Sequence, residues 1–465
     1  MSGYSAVYPS PSKPRQVSRK LAADVFTDSD GALTLRYWRG DWWLYTGTSF
    51  QKVTEDEEWR EPIWDRLEEV GYEKDDELVP WIPTTGKLNN LVEPLRIETR
   101  IPRNFNAPMI VNGRSVPRPA PGIIAMNNGL FNLETSEISP ATAQVFTTWS
   151  LPFDYDENAT CPRWEKFIEE TYAHDPAAVN TIQELFGYFV SGSSDRQIGW
   201  LLLGPSGSGK GVQTRVLTAL MGGDNNVAAG SFDKISNRFG LADWVDKPLV
   251  IFGDSRDNGV INATATSTLL SVIGQDAVPV EGKGTDIVTV TLPTRVVIVS
   301  NEMPSFRDSS RAIIKRWIIT ETRVGVRGTA AEDPELTNDL EKELPGIFNW
   351  SLRGLARLNR LGKFTSPEAS VETREMMDDA AAPEVQFIED NYRLTNNDEF
   401  VWLDLVYAAY CSWMENRRLS PVSQNKFKSR LKAGGLPEVV LSKAENAQGK
   451  RQEVIKGISW VKTPN

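Results

Sequence analysis

The chain has 465 residues, 40% of them hydrophobic, and a formal charge of −11. One core rarely serves that length, so two to four domains are expected. The acidic balance argues against a protein that coats nucleic acid over its whole surface. Cys161, Cys411 and His174 are too few for a structural zinc site, or for most Cys–His and Ser–His–Asp chemistry. No apolar run approaches the roughly 20 residues of a membrane span, and no apolar signal core opens the chain. A cytoplasmic protein with no membrane partner is the expectation. The fifteen tryptophans are read as packing residues.

Residues 1–20, rich in Ser and Pro and carrying Lys13, Arg15, Arg19 and Lys20, read as a disordered basic arm. Residues 21–150 read as an α+β region with many turns. It has a hairpin around Gly40-Asp41, a helix from Glu57 to Val70 and short strands such as 122–126. The pattern turns helical at 151–195. A helix over 163–172 places Trp164, Phe167 and Ile168 on one face, and a second follows at 179–190. His174, near the first helix end, reads as a capping or surface residue. Strand and helix then alternate over 196–325, the pattern of a parallel α/β core. A helical extension spans 326–362 and a linker 363–384. Residues 385–465 give helices, then two short strands at 438–441 and 454–461 around a polar turn, 442–451. That order suggests a winged helix. From Arg417 onward there are eleven Lys/Arg against three Asp/Glu. This module is therefore the candidate DNA contact, around Lys426, Lys428, Arg430 and Lys432; a solvated basic face is the competing reading.

The strongest motif is Gly204-Pro205-Ser206-Gly207-Ser208-Gly209-Lys210-Gly211, with Val212 next. It follows an apolar strand and precedes a helix, the context that a phosphate-binding loop requires. Glycines let successive N–H groups turn inward around phosphate oxygens. The helix adds its positive end, and Lys210 reaches the outer phosphates. Residue 211 is Gly where Ser or Thr normally ligates Mg²⁺; Thr214 is the nearest hydroxyl on the helix. A second apolar strand ends at Asp254, a candidate for holding Mg²⁺ and its water or for placing attacking water. Asp257 is a further possibility, and a helix cap is the bland reading of both. A third strand ends at Asn301, whose amide suits attacking water or an outer phosphate; turn formation competes. Arg311 and Arg316 follow, a residue type suited to charge on a transferring phosphate; a surface salt bridge is the competing reading. Between the second and third strands, Gly282-Lys283-Gly284 reads as a hairpin tip whose lysine can pair with a DNA phosphate; an ordinary exposed turn lysine is the competing reading.

In these motifs and their order, residues 200–322 resemble the superfamily 3 helicases of viruses, phages and plasmids. They are similar to the C-terminal part of phage and plasmid primase-helicases, a group that includes the poxvirus replicative NTPase. Asn128-Gly-Leu-Phe-Asn-Leu, Leu151-Pro-Phe-Asp-Tyr-Asp, Cys161-Pro-Arg-Trp and Leu185-Phe-Gly-Tyr resemble the segment before the motor in that group. The resemblance implies a P-loop NTPase of AAA+-like architecture, with ATP and Mg²⁺ at its sites. Lys210 takes the phosphate-loop lysine, Asp254 the second acidic motif (where Glu is commoner), and Asn301 the polar sensor. The stretch 274–284 takes the additional motif and DNA hairpin. Arg316 is the first choice for a finger inserted into a neighbour's site, and Arg311 the second. A homo-hexameric ring on single-stranded or forked DNA is implied, in the host cytoplasm if phage-encoded. No primase domain is seen, so a separate primase or initiator, or none, is implied as a partner. The expected function is an ATP-dependent replicative DNA helicase. A nucleotide-switched initiator or loader and a small-molecule kinase remain the alternatives.

Overall fold

The computed structural model describes residues 4–112, 115–253, 260–281, 287–306, 316–325, 329, 333–367, 371, 383–395, 399–417, 419–433, 436 and 438–460. In place of a disordered arm, the N-terminal stretch forms a two-residue strand, Ala6–Val7, and a helix, Pro14–Asp24. Proline starts that helix without losing a needed donor. Val17, Ser18, Leu21 and Ala22 form its buried stripe, and it packs along Thr85–Thr99. Ser18 Oγ donates to the Leu91 carbonyl at 3.1 Å, and Arg15 and Arg19 flank the buried Glu98. Composition hid the short apolar stripe, and two of the arm's basic residues, Arg15 and Arg19, serve an internal carboxylate.

The hairpin forms as expected, Leu35–Trp38 against Asp41–Tyr45. Its turn is Arg39-Gly40, both at positive φ, which matches the strand twist. Trp42 stacks on Trp59 with centroids 4.8 Å apart. Trp38, Trp81, Trp164, Trp200, Trp244 and Trp317 are among the largest fully buried side chains.

The centre is a five-stranded parallel sheet. In chain order its strands are β1 (Gly199–Leu203), β2 (Val227–Gly230), β3 (Leu249–Phe252), β4 (Arg295–Ser300) and β5 (Trp317–Glu321). In space the order is β2-β3-β4-β1-β5. Continuous apolar runs give strands buried on both faces. Trp200 and Leu202 face one core and Leu201 and Leu203 the other. The first core holds α1 (Pro162–Thr171), α2 (Pro176–Val190), α3 (Lys210–Leu220) and, later in the chain, Leu340 of a short helix and the long helix Leu344–Leu361. The second holds α4 (Ala263–Ile273). A short helix, α5 (Leu336–Glu341), packs on α3 and leads into α6, the long helix Leu344–Leu361.

The expected helical region and helical extension therefore meet: α2 and α6 lie against each other. Gly187 and Gly354 permit this contact. A Cβ on Gly187 would stand 2.4 Å from the Ser351 carbonyl, and one on Gly354 2.1 Å from that of Gln183. Glu184, fully buried on α2, pairs with Arg357 of α6 at 2.6 Å and accepts from Thr365. The expected linker thus begins docked on α2.

The C-terminal module contains helices Pro383–Asn391, Leu403–Asn416 and Gln424–Ala433 around a core of Phe387, Val406, Tyr410, Phe427 and Leu431. Its ribbon is longer than the sequence suggested: Val440–Glu445 pairs with Arg451–Lys456. The polar stretch expected as a turn continues the strands. Only 446–450 turns, where Asn446 Oδ1 accepts from the Gln448 and Lys450 N–H groups and Gly449 takes φ 74°. The whole is a mixed α/β fold.

Candidate functional site

The glycine loop leaves β1 at the sheet's C-terminal edge, where ligands gather in such sheets. Gly204, Gly207 and Gly209 all take positive φ, at 142°, 75° and 88°. That backbone folds the loop over the start of α3. The first turn of α3 has no acidic residue and no side-chain cap, so its N–H groups face an incoming anion. Ser208 Oγ donates to the Pro205 carbonyl at 2.7 Å.

Lys210 is 6% exposed. Its ammonium donates to the carbonyls of Gly204 (2.6 Å) and Pro205 (2.8 Å) and to Asn301 Oδ1 (2.8 Å). Asn301 comes to it because β4 lies directly beside β1. The two residues, 91 apart in sequence, meet at one cavity of about 630 Å³, large enough for a nucleotide. Ser206, Gly207, Gly209, Gly211, Val212 and Thr214 also line it.

The far wall was not foreseen. Phe167 of α1, Arg215 of α3, and Asp333, Pro334, Leu336 and Thr337 in and before α5 complete the cavity. Arg215 donates to Thr337 Oγ1 at 3.3–3.4 Å, and Arg163 pairs with Asp333 and Asp339. Apart from Arg215, these residues come from segments that flank the motor and that carry no phosphate-site motif. Phe167 did stand on the apolar face seen in the sequence, but that face pointed only to packing.

Of the two candidate Mg²⁺ ligands, Asp254 lies outside the described residues, as does Asp257. Thr214 Oγ1 donates back to its own helix, at 3.2 Å to the Lys210 carbonyl and 3.3 Å to that of Gly211. Its lone pairs stay available to a cation, one helical turn beyond the usual hydroxyl position. Among the described residues no group of three or more His, Cys, Asp or Glu could hold a metal. Cys161 is buried, and its thiol is pushed up to about 12, chiefly by desolvation, which leaves it inert as a nucleophile. His174 contacts the Glu321 carbonyl at 3.1 Å through Nε2.

Arg316 is not brought to Lys210. It precedes β5, which runs parallel to β1 with Gly199 opposite Trp317 and Leu203 opposite Glu321. It therefore sits at the other end of the sheet from its own loop, roughly 20 Å from Gly204 along the strand at 3.3 Å per residue. There Nη1 donates to Gln197 Oε1 at 3.4 Å. Arg311 lies outside the described residues. So does Lys283, although the strands that carry it, Val278–Val280 and Val288–Val290, pair antiparallel.

The four basic residues of Gln424–Ala433 divide. Lys426 and Lys432 are exposed. Lys428 pairs with Glu453 at 2.9 Å, and Arg430 with the fully buried Glu384 at 3.1 Å. Glu384 also accepts from the Tyr410 hydroxyl at 3.0 Å, and burial and that carboxylate push the phenol up. Arg430, partly exposed, is thus engaged within the module, as the cation against a buried acid.

Two family models match. D5 N terminal like covers residues 33–172, and a family of unknown function, DUF5906, covers 202–316. Together they span more than half of the chain. Among solved structures, an apo form of the NrS-1 C-terminal region is 11% identical, with 83% of this chain and 93% of that one covered at a TM-score of 0.42. A second, spanning 305–718 of NrS-1, is 10% identical, with 71% and 92% covered and a TM-score of 0.42. No curated protein matches the sequence.

Proposed function

We propose, for a chain that belongs to the superfamily 3 primase-helicase family associated with D5 N-terminal-like and DUF5906 regions, an ATP-dependent replicative DNA helicase. The family relationship supports a general DNA-replication-associated NTPase role; the helicase mechanism is our finer reading. The observation that carries it is the meeting of Lys210 and Asn301 at the glycine loop. ATP places its phosphates against the N–H groups of residues 207–211, with Lys210 leaving loop carbonyls for phosphate oxygens. Asp254, assisted by Thr214, would hold Mg²⁺, which would offset negative charge on the outer phosphates. Asn301 holds attacking water or the outer phosphate.

The position of Arg316 favours a ring. From the opposite end of the sheet it cannot serve its own loop, but it suits insertion into a neighbour's cavity. Lys283 grips a phosphate at the hairpin tip. The C-terminal module, read as a winged helix, adds duplex contact through Lys426 and Lys432. Absence of a hydroxyl at 211 favours a second reading, a loader that uses nucleotide as a switch and hydrolyses slowly.

Strand displacement on forked DNA separates the two. The helicase unwinds with ATP. Lys283→Ala keeps substantial basal hydrolysis and loses unwinding. A wild-type protein that hydrolyses ATP but never separates strands contradicts the motor and leaves the loader.

A further inference from the structure

Thr322 lies just beyond β5, alongside the first residue of the glycine loop. Its N–H donates to the Leu203 carbonyl at 2.9 Å, which extends the β1–β5 ladder to the loop's root. Its Oγ1 stands 2.5 Å from Ser208 Oγ and 3.1 Å from the Leu203 carbonyl. Ser208 and Thr322 are 4% and 1% exposed. Two hydroxyl protons serve three contacts here. Ser208 Oγ reaches the Pro205 carbonyl, Thr322 Oγ1 reaches the Leu203 carbonyl, and either hydroxyl can supply the proton between them.

The Pro205 carbonyl also receives the Lys210 ammonium. A line of hydrogen bonds therefore runs from Thr322 through Ser208 and Pro205 to Lys210. Gly204 closes the space: a Cβ there would stand 2.1 Å from Thr322 Oγ1 and 2.3 Å from the Thr322 carbonyl. Only hydrogen fits between the loop's first residue and Thr322, so strand and loop are in direct contact.

We propose that Thr322 is a positioning residue for the phosphate loop. Its hydroxyl holds Ser208, and through Ser208 the bend at Pro205, in the conformation that receives phosphate. The inference rests on the nucleotide-site reading above. A loop held ready loses less freedom on binding, so Thr322 acts on nucleotide affinity more than on the chemical step. Nothing in the glycine-loop motif marks this residue. It lies more than a hundred positions downstream and reaches the loop only because β5 pairs with β1.

The test uses the full chain and Mg-ATP. Thr322→Val keeps the shape and removes the hydroxyl; Thr322→Ser keeps the hydroxyl. Titration calorimetry should show Mg-ATP binding about tenfold weaker in Thr322→Val, the loss of roughly one buried hydrogen bond. KM should rise with it while kcat stays within about threefold. Thr322→Ser should bind within about twofold of wild type. Ser208→Ala reads the same bond from the loop side if the valine variant fails to fold. Combined with Thr322→Val it should cost less than the sum of the two single variants, since both remove the Thr322–Ser208 contact. Folded Thr322→Val that binds like wild type overturns the proposal. So do serine and valine variants equally impaired, which would assign the effect to the methyl group. Wild-type protein that binds no Mg-ATP overturns the nucleotide reading itself; wild-type binding with an unaffected valine variant overturns only the role of Thr322.

Discussion

Gly211 is the residue at which this loop departs from the usual phosphate-binding pattern, and its surroundings say what restoring a hydroxyl would do. A Cβ at 211 meets only the Arg215 guanidinium, with Nη1 at 3.2 Å. That is the far end of a flexible side chain, so Gly211→Ser fits with a small shift of Arg215. The added hydroxyl stands where Mg²⁺ is normally ligated. The expected outcome is a lower Mg²⁺ concentration for half-maximal hydrolysis, with stability within about 0.5 kcal/mol of the parent. An unchanged Mg²⁺ titration would show that another group already fills the role. At this scale the loop was legible because its glycine spacing encodes backbone shape directly. Asn301 was legible because it ends an apolar strand. Phe167, Asp333 and Thr337 were not, because only tertiary packing brings their segments to the cavity. Arg430 shows the opposite case: its charge suggested DNA, and no local signal marked Glu384 as its partner.

Among the elements, α2 and α6 do most to hold the motor's flanks together. The sequence placed both helices but gave no reason for them to touch. Their contact depends on two missing side chains, at Gly187 and Gly354, and on the buried Glu184–Arg357 pair. Gly354→Leu should force the helices apart and destabilise the protein by about 1–3 kcal/mol or more, lowering the urea midpoint. An unchanged midpoint would mean that the helices repack freely. Strand and helix order through the sheet followed from apolar runs of strand length. The N-terminal helix Pro14–Asp24 and the long C-terminal ribbon did not. In both, polar composition outweighed a short periodic signal, and partner surfaces distant in sequence completed the element.

Across the whole molecule, the N-terminal unit meets the motor at Arg39 and Asp246. Arg39 lies over the Trp38 ring at 4.2 Å and pairs with Asp246 at 3.3 Å. Burial raises the Asp246 carboxyl from its ordinary 3.8 to about 6, and Arg39 and Lys52 only partly offset this. A carboxyl raised on folding binds more protons in the folded state. Its stabilisation is therefore full below about pH 4 and is lost as pH rises through about 6. Asp246→Asn should be more stable than the parent above that window, with the difference shrinking toward pH 4. Urea midpoints of both proteins across the range check this, and a constant difference would refute it. The motor reading depends on one cavity, where β1 and β4 deliver Lys210 and Asn301 to each other. Steady-state phosphate release by wild type and Lys210→Ala, with and without forked DNA, tests it most directly. Hydrolysis stimulated by DNA in the wild type and lost in the variant is the predicted result; equal rates in the two proteins would contradict it.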